Sequence, residues 1–353
     1  MMRSGLAWAF AYFLVPVSEA LAGYSSLFVF GDSLSDSGNN AAALQQITPV
    51  PIPGNSFIPT FPYASGDYTD DRVWAQIIAA SLGLSANPSL LGGTDYAFGG
   101  ATTGPLDTIP PSLETQVALF LSQHGPVIPG DALYAVEGGG QNARNALAAT
   151  AGCGGNLACI GGIIQSTTAG FVGDIETIDS ELEAAGAKNI LLWNVPDIGK
   201  TPAVLAAGEL ASMLGTTIAS TMNLALSAAI GSDPDVKLFD AFGLVNDAVT
   251  DPGAFGLSNV TDACAQFSAC IVDPSKFLFW DGIHPTSATE AIISDAILAL
   301  VVPEPSTLAL LAVAFFGAGL IRFAGRGRAL CRRLAGQPSD PHSCMRKSIS
   351  ILQ

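Results

Sequence analysis

The chain has 353 residues and a formal net charge of −16 at pH 7, with 49% hydrophobic and only 12% charged residues. Its body, Gly23 to Val301, carries 27 acidic against 6 basic residues, which argues against nucleic-acid binding because phosphate contacts need a basic face. The length admits two domains, but one α/β domain flanked by targeting segments accounts for it equally well, with ample hydrocarbon for a core.

Residues 1–22 have the layout of a secretory signal peptide: Arg3 as a basic start, an apolar run from Leu6 to Val17, and Ala20-Leu21-Ala22 as a small-x-small cleavage site. The mature chain is then expected to begin near Gly23, just ahead of Leu27 to Phe30. This apolar run reads as a buried parallel strand that stops at Gly31. Open α/β folds bind ligands at the carboxyl ends of such strands, so Ser33, between the strand and a polar turn, is the candidate nucleophile. A serine hydroxyl is a weak nucleophile until a base takes its proton, and the chain has three histidines. His124 falls at an expected helix C-terminus and His342 in a basic tail. His284 sits in Trp280-Asp281-Gly282-Ile283-His284-Pro285-Thr286. Its Asp-x-x-His spacing lets one turn present both side chains, with Asp281 holding the imidazole tautomer that accepts from Ser33. No Gly-x-Ser-x-Gly occurs, which argues against the nucleophile elbow of other α/β-hydrolases.

Thr48 to Pro62 is Pro-rich and without period, an extended loop expected to help wall the substrate pocket. A helix over 73–82 follows, with Asp70 and Asp71 expected to cap its positive end. Asp95 to Thr103 contains the pair Gly99-Gly100, and the strand over 132–136 runs into Glu137-Gly138-Gly139-Gly140-Gln141-Asn142. A mostly helical stretch over 161–187 carries a solvated acidic face. A strand over 189–195, a helix over 203–230 with possible breaks at Gly208 and Gly215, a fifth strand over 236–240 and a closing helix over 286–301 complete the body. Strands alternating with helices predict a five-stranded parallel sheet covered on both faces. In an exported chain, Cys153 with Cys159 and Cys264 with Cys270 are expected to form two local disulfides. Neither pair has the close spacing or nearby histidines of a zinc site, so no metal is expected.

The string Phe30-Gly31-Asp32-Ser33 continuing to Ser35-Asp36-Ser37-Gly38-Asn39, the Gly99-Gly100 pair, the glycine-rich end of the 132–136 strand and Trp280-Asp281-x-x-His284-Pro285-Thr286 together resemble the GDSL (SGNH-hydrolase) esterases and lipases. The resemblance covers Ser26 to about Val301 and implies the three-layer α/β/α, flavodoxin-like SGNH fold. It implies a Ser33–His284–Asp281 triad acting on a carboxylic ester without cofactor. It also implies an oxyanion hole of the Ser33 and Gly100 N–H groups and an asparagine amide. Here that third position departs from the family: read without gaps it falls on Gln141, and read by Gly-x-Asn it falls on Asn142. Two other readings stay open: an O-acetyl esterase acting on a secreted polysaccharide, and a non-catalytic surface-binding module.

Beyond Val301 the composition changes. Val302-Pro303-Glu304-Pro305 precedes residues 305–321, which carry no charge, and Arg322, Arg326 and Arg328 follow. Seventeen such residues lie at the short end of the ~17–25 that span a bilayer, and the arginines fit the positive-inside rule. Residues 302–328 resemble a PEP-CTERM sorting signal with its transmembrane helix. The resemblance implies export, transient anchoring in the inner membrane, and processing by an exosortase-type enzyme on the way to the cell surface or medium. The basic tail, residues 329–353, is expected to be disordered.

Overall fold

The computed structural model describes residues 23–45, 52, 54–55, 63–64, 66–106, 108–231 and 233–302. The signal peptide, most of the Pro-rich stretch, and the sorting segment and tail from 303 onward, with Cys331, His342 and Cys344, lie outside the described residues.

The body is built on β1 (Leu27–Phe30), α1 (Asn39–Ala43), α2 (Trp74–Ser81), α3 (Leu113–His124), β2 (Leu133–Val136), α4 (Gly140–Thr150), α5 (Leu157–Ala185), β3 (Ile190–Trp193), α6 (Pro202–Ala206), α7 (Glu209–Ile230), β4 (Val236–Phe239), α8 (Ala241–Thr250), β5 (Asn259–Ala263), α9 (Ser268–Val272), β6 (Phe277–Phe279) and α10 (Ser287–Val301). The four strands β1-β2-β3-β4 lie parallel in that order, with Phe28 opposite Tyr134, Tyr134 opposite Ile190 and Ile190 opposite Val236. β1 to β3 are buried throughout. Their alternating side chains therefore feed two separate cores. Phe28, Phe30, Tyr134, Val136, Ile190 and Leu192 face α3, α4, α5 and α7. Leu27, Val29, Leu133, Ala135, Leu191 and Trp193 face α2 and α10. The result is a three-layer α/β/α fold.

The sheet has four strands where five were expected. The four are those read at 27–30, 132–136, 189–195 and 236–240; the sequence locates no further strand, and the nearest to a fifth is the stretch before Gly99-Gly100. It lies along the free edge of β1, with Val29 N–H donating to Thr94 O (3.1 Å), Tyr96 N–H to Val29 O (2.7 Å) and Phe98 N–H to Gly31 O (3.1 Å). The buried Asp95 interrupts it by accepting from the N–H groups of Ser37 and Ala97 (2.9 and 2.8 Å), which bends the segment away from ladder geometry after a single bridge. β5 and β6 form a separate two-stranded parallel sheet that the sequence reading did not anticipate.

The expected 203–230 helix is two helices, broken at Gly208 (φ +100°) but continuous through Gly215. Gly215 instead lets α7 pass so close that an added Cβ would lie 3.0 Å from the Gly199 Cα. Among the described residues α7 is the one helix long and apolar enough to cross a membrane, and Ile218, Ala219, Met222 and Leu226 pack it onto the sheet. The Asp70 expectation is corrected: its carboxylate accepts from Ser287 N–H and Oγ–H (both 2.7 Å), at the start of α10. In exchange Glu290 of α10 accepts from Trp74 N–H at the start of α2 (3.0 Å). The two helix N-termini are thus capped reciprocally, across more than two hundred residues. Cys153 is bonded to Cys159 between α4 and α5, and Cys264 to Cys270 between β5 and α9.

Candidate active site

At the carboxyl end of β1 the chain turns at once. Gly31 N–H donates to Gln116 Oε1 and Gly31 O accepts from Gln116 Nε2 (both 2.9 Å), so α3 grips both sides of this peptide. A side chain at Gly31 would stand 2.8 Å from Glu137 Oε2 and Ser35. Glycine is therefore needed for the turn to pack against β2. Glu137, at the end of β2, accepts from Asp32 N–H (3.1 Å) and Ser35 Oγ–H (2.9 Å), and Ser35 Oγ in turn accepts from Trp74 Nε1–H (3.1 Å). Burial, and then the neighbouring Asp32 carboxyl, push Glu137 well above the usual range.

Ser33 follows directly. Its Oγ lies 2.8 Å from His284 Nε2, and His284 Nδ1 lies 2.7 Å from Asp281 Oδ2. With a carboxylate at Nδ1, the neutral imidazole carries its proton there and leaves Nε2 as the acceptor for the Ser33 hydroxyl. Asp281 and His284 are each 1% exposed and Ser33 7%, so the nucleophile is the most accessible of the three. Asp281 Oδ1 accepts from the N–H groups of Ile283 and His284 (both 2.8 Å). Burial works to raise the Asp281 carboxyl, but the facing His284, with those N–H groups, outweighs it and holds it below the usual value. Tyr63 OH adds a bond to Oδ2 (2.9 Å), and the Tyr68 ring lies 5.1 Å from the imidazole, centroid to centroid.

The remaining sequence-derived positions separate. Gly100 takes φ +86°, in the left-handed region that favours glycine. It follows Gly99, whose N–H donates to Asp36 Oδ2 (2.9 Å). Asp36 also accepts from Gly38 and Asn39 N–H (2.9 and 2.6 Å), tying the nucleophile turn to the Gly99-Gly100 turn. Burial nevertheless pushes its carboxyl up to about 6. Asn142 is turned to Thr103: its Nδ2 donates to Thr103 Oγ1 and its Oδ1 accepts from Thr103 N–H (both 3.0 Å). Gln141 lines the same cavity as Ser33 and His284, with its Nε2 donating to Asn145 Oδ1 one turn on (2.8 Å).

Four contributors were missed from sequence. Asp36 lies inside the recognised string, and a charged Glu137 at the end of a buried strand is itself a signal, since buried charges need partners. Tyr63 and Gln116 carried no such mark, because their partners are remote in sequence. Elsewhere among the described residues, Asp179, Glu183 and Asp233 place oxygens within 4.8 Å of one another. They lie by the amino end of β4, the opposite end of the sheet from Ser33.

A profile of the family described as GDSL-like lipase/acylhydrolase matches residues 27–297, and one of the PEP-CTERM protein-sorting motif matches residues 301–329. A GDSL esterase/lipase of Arabidopsis thaliana is 26% identical, covering 82% of this chain and 91% of its own. Esterase EstA of Pseudomonas aeruginosa is 28% identical over 77% of this chain, and an uncharacterised protein of Pseudomonas putida 27% identical over 82%. The chain spans about half the length of these last two, 46% and 51%. Among solved structures, the extracellular lipase of Streptomyces rimosus aligns with 78% of this chain and 99% of its own at a TM-score of 0.44 and 16% identity.

Proposed function

The chain belongs to the GDSL-like lipase/acylhydrolase family, and we propose that it is an exported serine esterase in which Ser33, His284 and Asp281 are the catalytic residues. The observation that carries this reading is the unbroken chain of hydrogen bonds from Ser33 Oγ through His284 to Asp281, 2.8 and 2.7 Å long. In the reaction, Ser33 Oγ attacks the ester carbonyl as His284 Nε2 takes its proton. The imidazolium is stabilised by Asp281 and hands the proton to the leaving alcohol. Water then attacks the acyl-enzyme by the same route in reverse. The carbonyl oxygen is held by the Ser33 and Gly100 N–H groups and by the Gln141 amide, once that amide swings from Asn145. Asn142, committed to Thr103, positions the segment after Gly100 and is not a donor. Neither a metal nor an organic cofactor enters this chemistry.

The PEP-CTERM match at 301–329 supports export and an exosortase-type sorting enzyme as a partner, with the outer envelope or the medium as destination. The test of the catalytic reading is a fluorophosphonate probe combined with short-chain ester kinetics. Wild type should be labelled on Ser33 alone, and Ser33→Ala and His284→Ala should each lose at least about 10³-fold in kcat while staying folded. Turnover near wild type in a folded Ser33→Ala protein overturns the assignment.

A further inference from the structure

One cavity reaches Ser33 from inside the molecule, with about 90 Å³ of space. One end is formed by Ser33, Gln141, Arg144 and His284, and the other by Ala248, Leu257, Leu278 and Phe279. The latter four belong to an apolar cluster of their own, where α8 meets the β5–β6 sheet. All four are 5% exposed or less, so that end is blind. Between the ends the walls are mostly apolar: the Trp193 ring at the end of β3, Leu244 and Val245 of α8, and Ile292 and Ile293 of α10.

Most polar side chains on these walls are spent on the protein itself; the exception is Trp193, whose buried Nε1–H has no hydrogen-bond partner among the described residues. Thr201 Oγ1–H donates to Ile198 O (2.8 Å) and Thr289 Oγ1–H to Leu278 O (3.0 Å). Asp197 accepts from Gly199 N–H, Thr216 Oγ1–H and Asn246 Nδ2–H at 3.0, 2.7 and 3.1 Å. A sugar ring entering here would bring several hydroxyls to walls with one unpartnered donor, Trp193 Nε1–H, and the rest would lose their water without gaining a partner, whereas a methylene would lose nothing.

We propose that this cavity binds the acyl chain of the substrate, a straight fatty acyl group of about six carbons, and that Ala248 at its blind end sets the length. The proposal rests on Ser33 being the nucleophile. Three points carry it. The acyl group is the part of an ester that stays on the serine while the alcohol must depart and water must enter, so a blind cavity suits the acyl half. The lining rewards hydrocarbon at about fourfold in kcat/KM for each methylene taken out of water. The space accommodates about six to nine water-sized particles at 10–15 Å³ each, which an acetyl group leaves largely empty.

The test uses two ester series on the full-length protein: one alcohol with acyl chains from acetate to dodecanoate, and one acyl group with alcohols of rising length. The kcat/KM should climb about fourfold per methylene to an optimum between butanoate and octanoate, then fall, with no comparable dependence on the alcohol. Ala248→Phe should lower the octanoate-to-acetate ratio at least tenfold. Should that variant not fold, Ala248→Val, and Leu278→Ala in the opposite sense, read out the same shift. Calorimetric binding of octanoate to Ser33→Ala provides a readout free of turnover and should weaken at least tenfold on adding Ala248→Phe. A flat acyl profile, a length preference confined to the alcohol, or a ratio unmoved in the folded variants overturns the proposal. Octanoate binding that depends on Ala248, with no ester hydrolysed, would instead overturn the nucleophile assignment and leave the cavity assignment standing.

Discussion

The third oxyanion donor yields the sharpest prediction, because Gln141 and Asn142 are neighbours with different commitments. To serve a developing oxyanion, the Gln141 amide must give up its 2.8 Å bond to Asn145 Oδ1. Asn145 is exposed, so that exchange costs about 1 kcal/mol. A well-placed donor supplies about 2.7–4 kcal/mol, leaving a net of about 2–3 kcal/mol. Gln141→Ala should therefore lower kcat about 30- to 150-fold. Asn145→Ala removes the competing acceptor and should raise kcat by up to about fivefold. In Gln141→Asn the shorter side chain no longer spans a helical turn to Asn145, and its rate should exceed that of wild type. Asn142→Ala breaks both hydrogen bonds to Thr103, costing about 1–3 kcal/mol of stability while kcat of the folded protein stays within threefold. Steady-state kinetics on a butyrate ester, with active sites titrated by a fluorophosphonate and unfolding followed in urea, separates rate from stability. The reasoning is refuted if Gln141→Ala turns over within twofold of wild type, or if Asn142→Ala is the slow variant at unchanged stability.

Tyr63→Phe removes a hydrogen bond to an ionised carboxylate and should cost about 1.5–3 kcal/mol of stability; an unchanged urea midpoint would count against that role. Burial pushes Asp67 up to about 8 and Asp36 to about 6 from an ordinary 3.8. The folded protein therefore binds more protons than the unfolded one between about pH 4 and 8, and stability falls as pH rises through that window, by at most about 1.4 kcal/mol per unit for one group. The melting temperature should be higher at pH 5 than at pH 8, and Asp67→Asn should flatten the pH 6–8 limb; a curve rising from 5 to 8 contradicts this. Each disulfide closes a short loop, so losing either through paired Cys→Ala substitution should cost only about 2 kcal/mol. Peptide mapping of the unreduced protein should recover Cys153 with Cys159 and Cys264 with Cys270.

What could be read from sequence was what depends on near neighbours. Runs such as Leu27 to Phe30 and Ile190 to Trp193 declare buried parallel strands by composition alone, and Asp281 can bond His284 because three residues separate them on one turn. Ser33 and His284 were named from their flanking residues, although 251 positions separate them. Which amide, which cap and which cavity belong to the site was a matter of tertiary packing. Asp70 has the local look of a cap for α2, yet it caps α10 because folding stacks the two helix starts side by side. Asn142 fits a family pattern as well as Gln141 does, and only the approach of Thr103, 39 residues away, engages its amide in hydrogen bonds. The stretch before Gly99-Gly100 stops short of a fifth strand at the buried Asp95, whose partners, Ser37 and Ala97, come from two sides. The apolar cavity exists because α8, α10 and the β5–β6 sheet leave space against β3, and space has no sequence of its own. Local hydrogen bonding repeats along the chain and is written in order; contacts between remote segments form only when the whole core packs, so they are decided there.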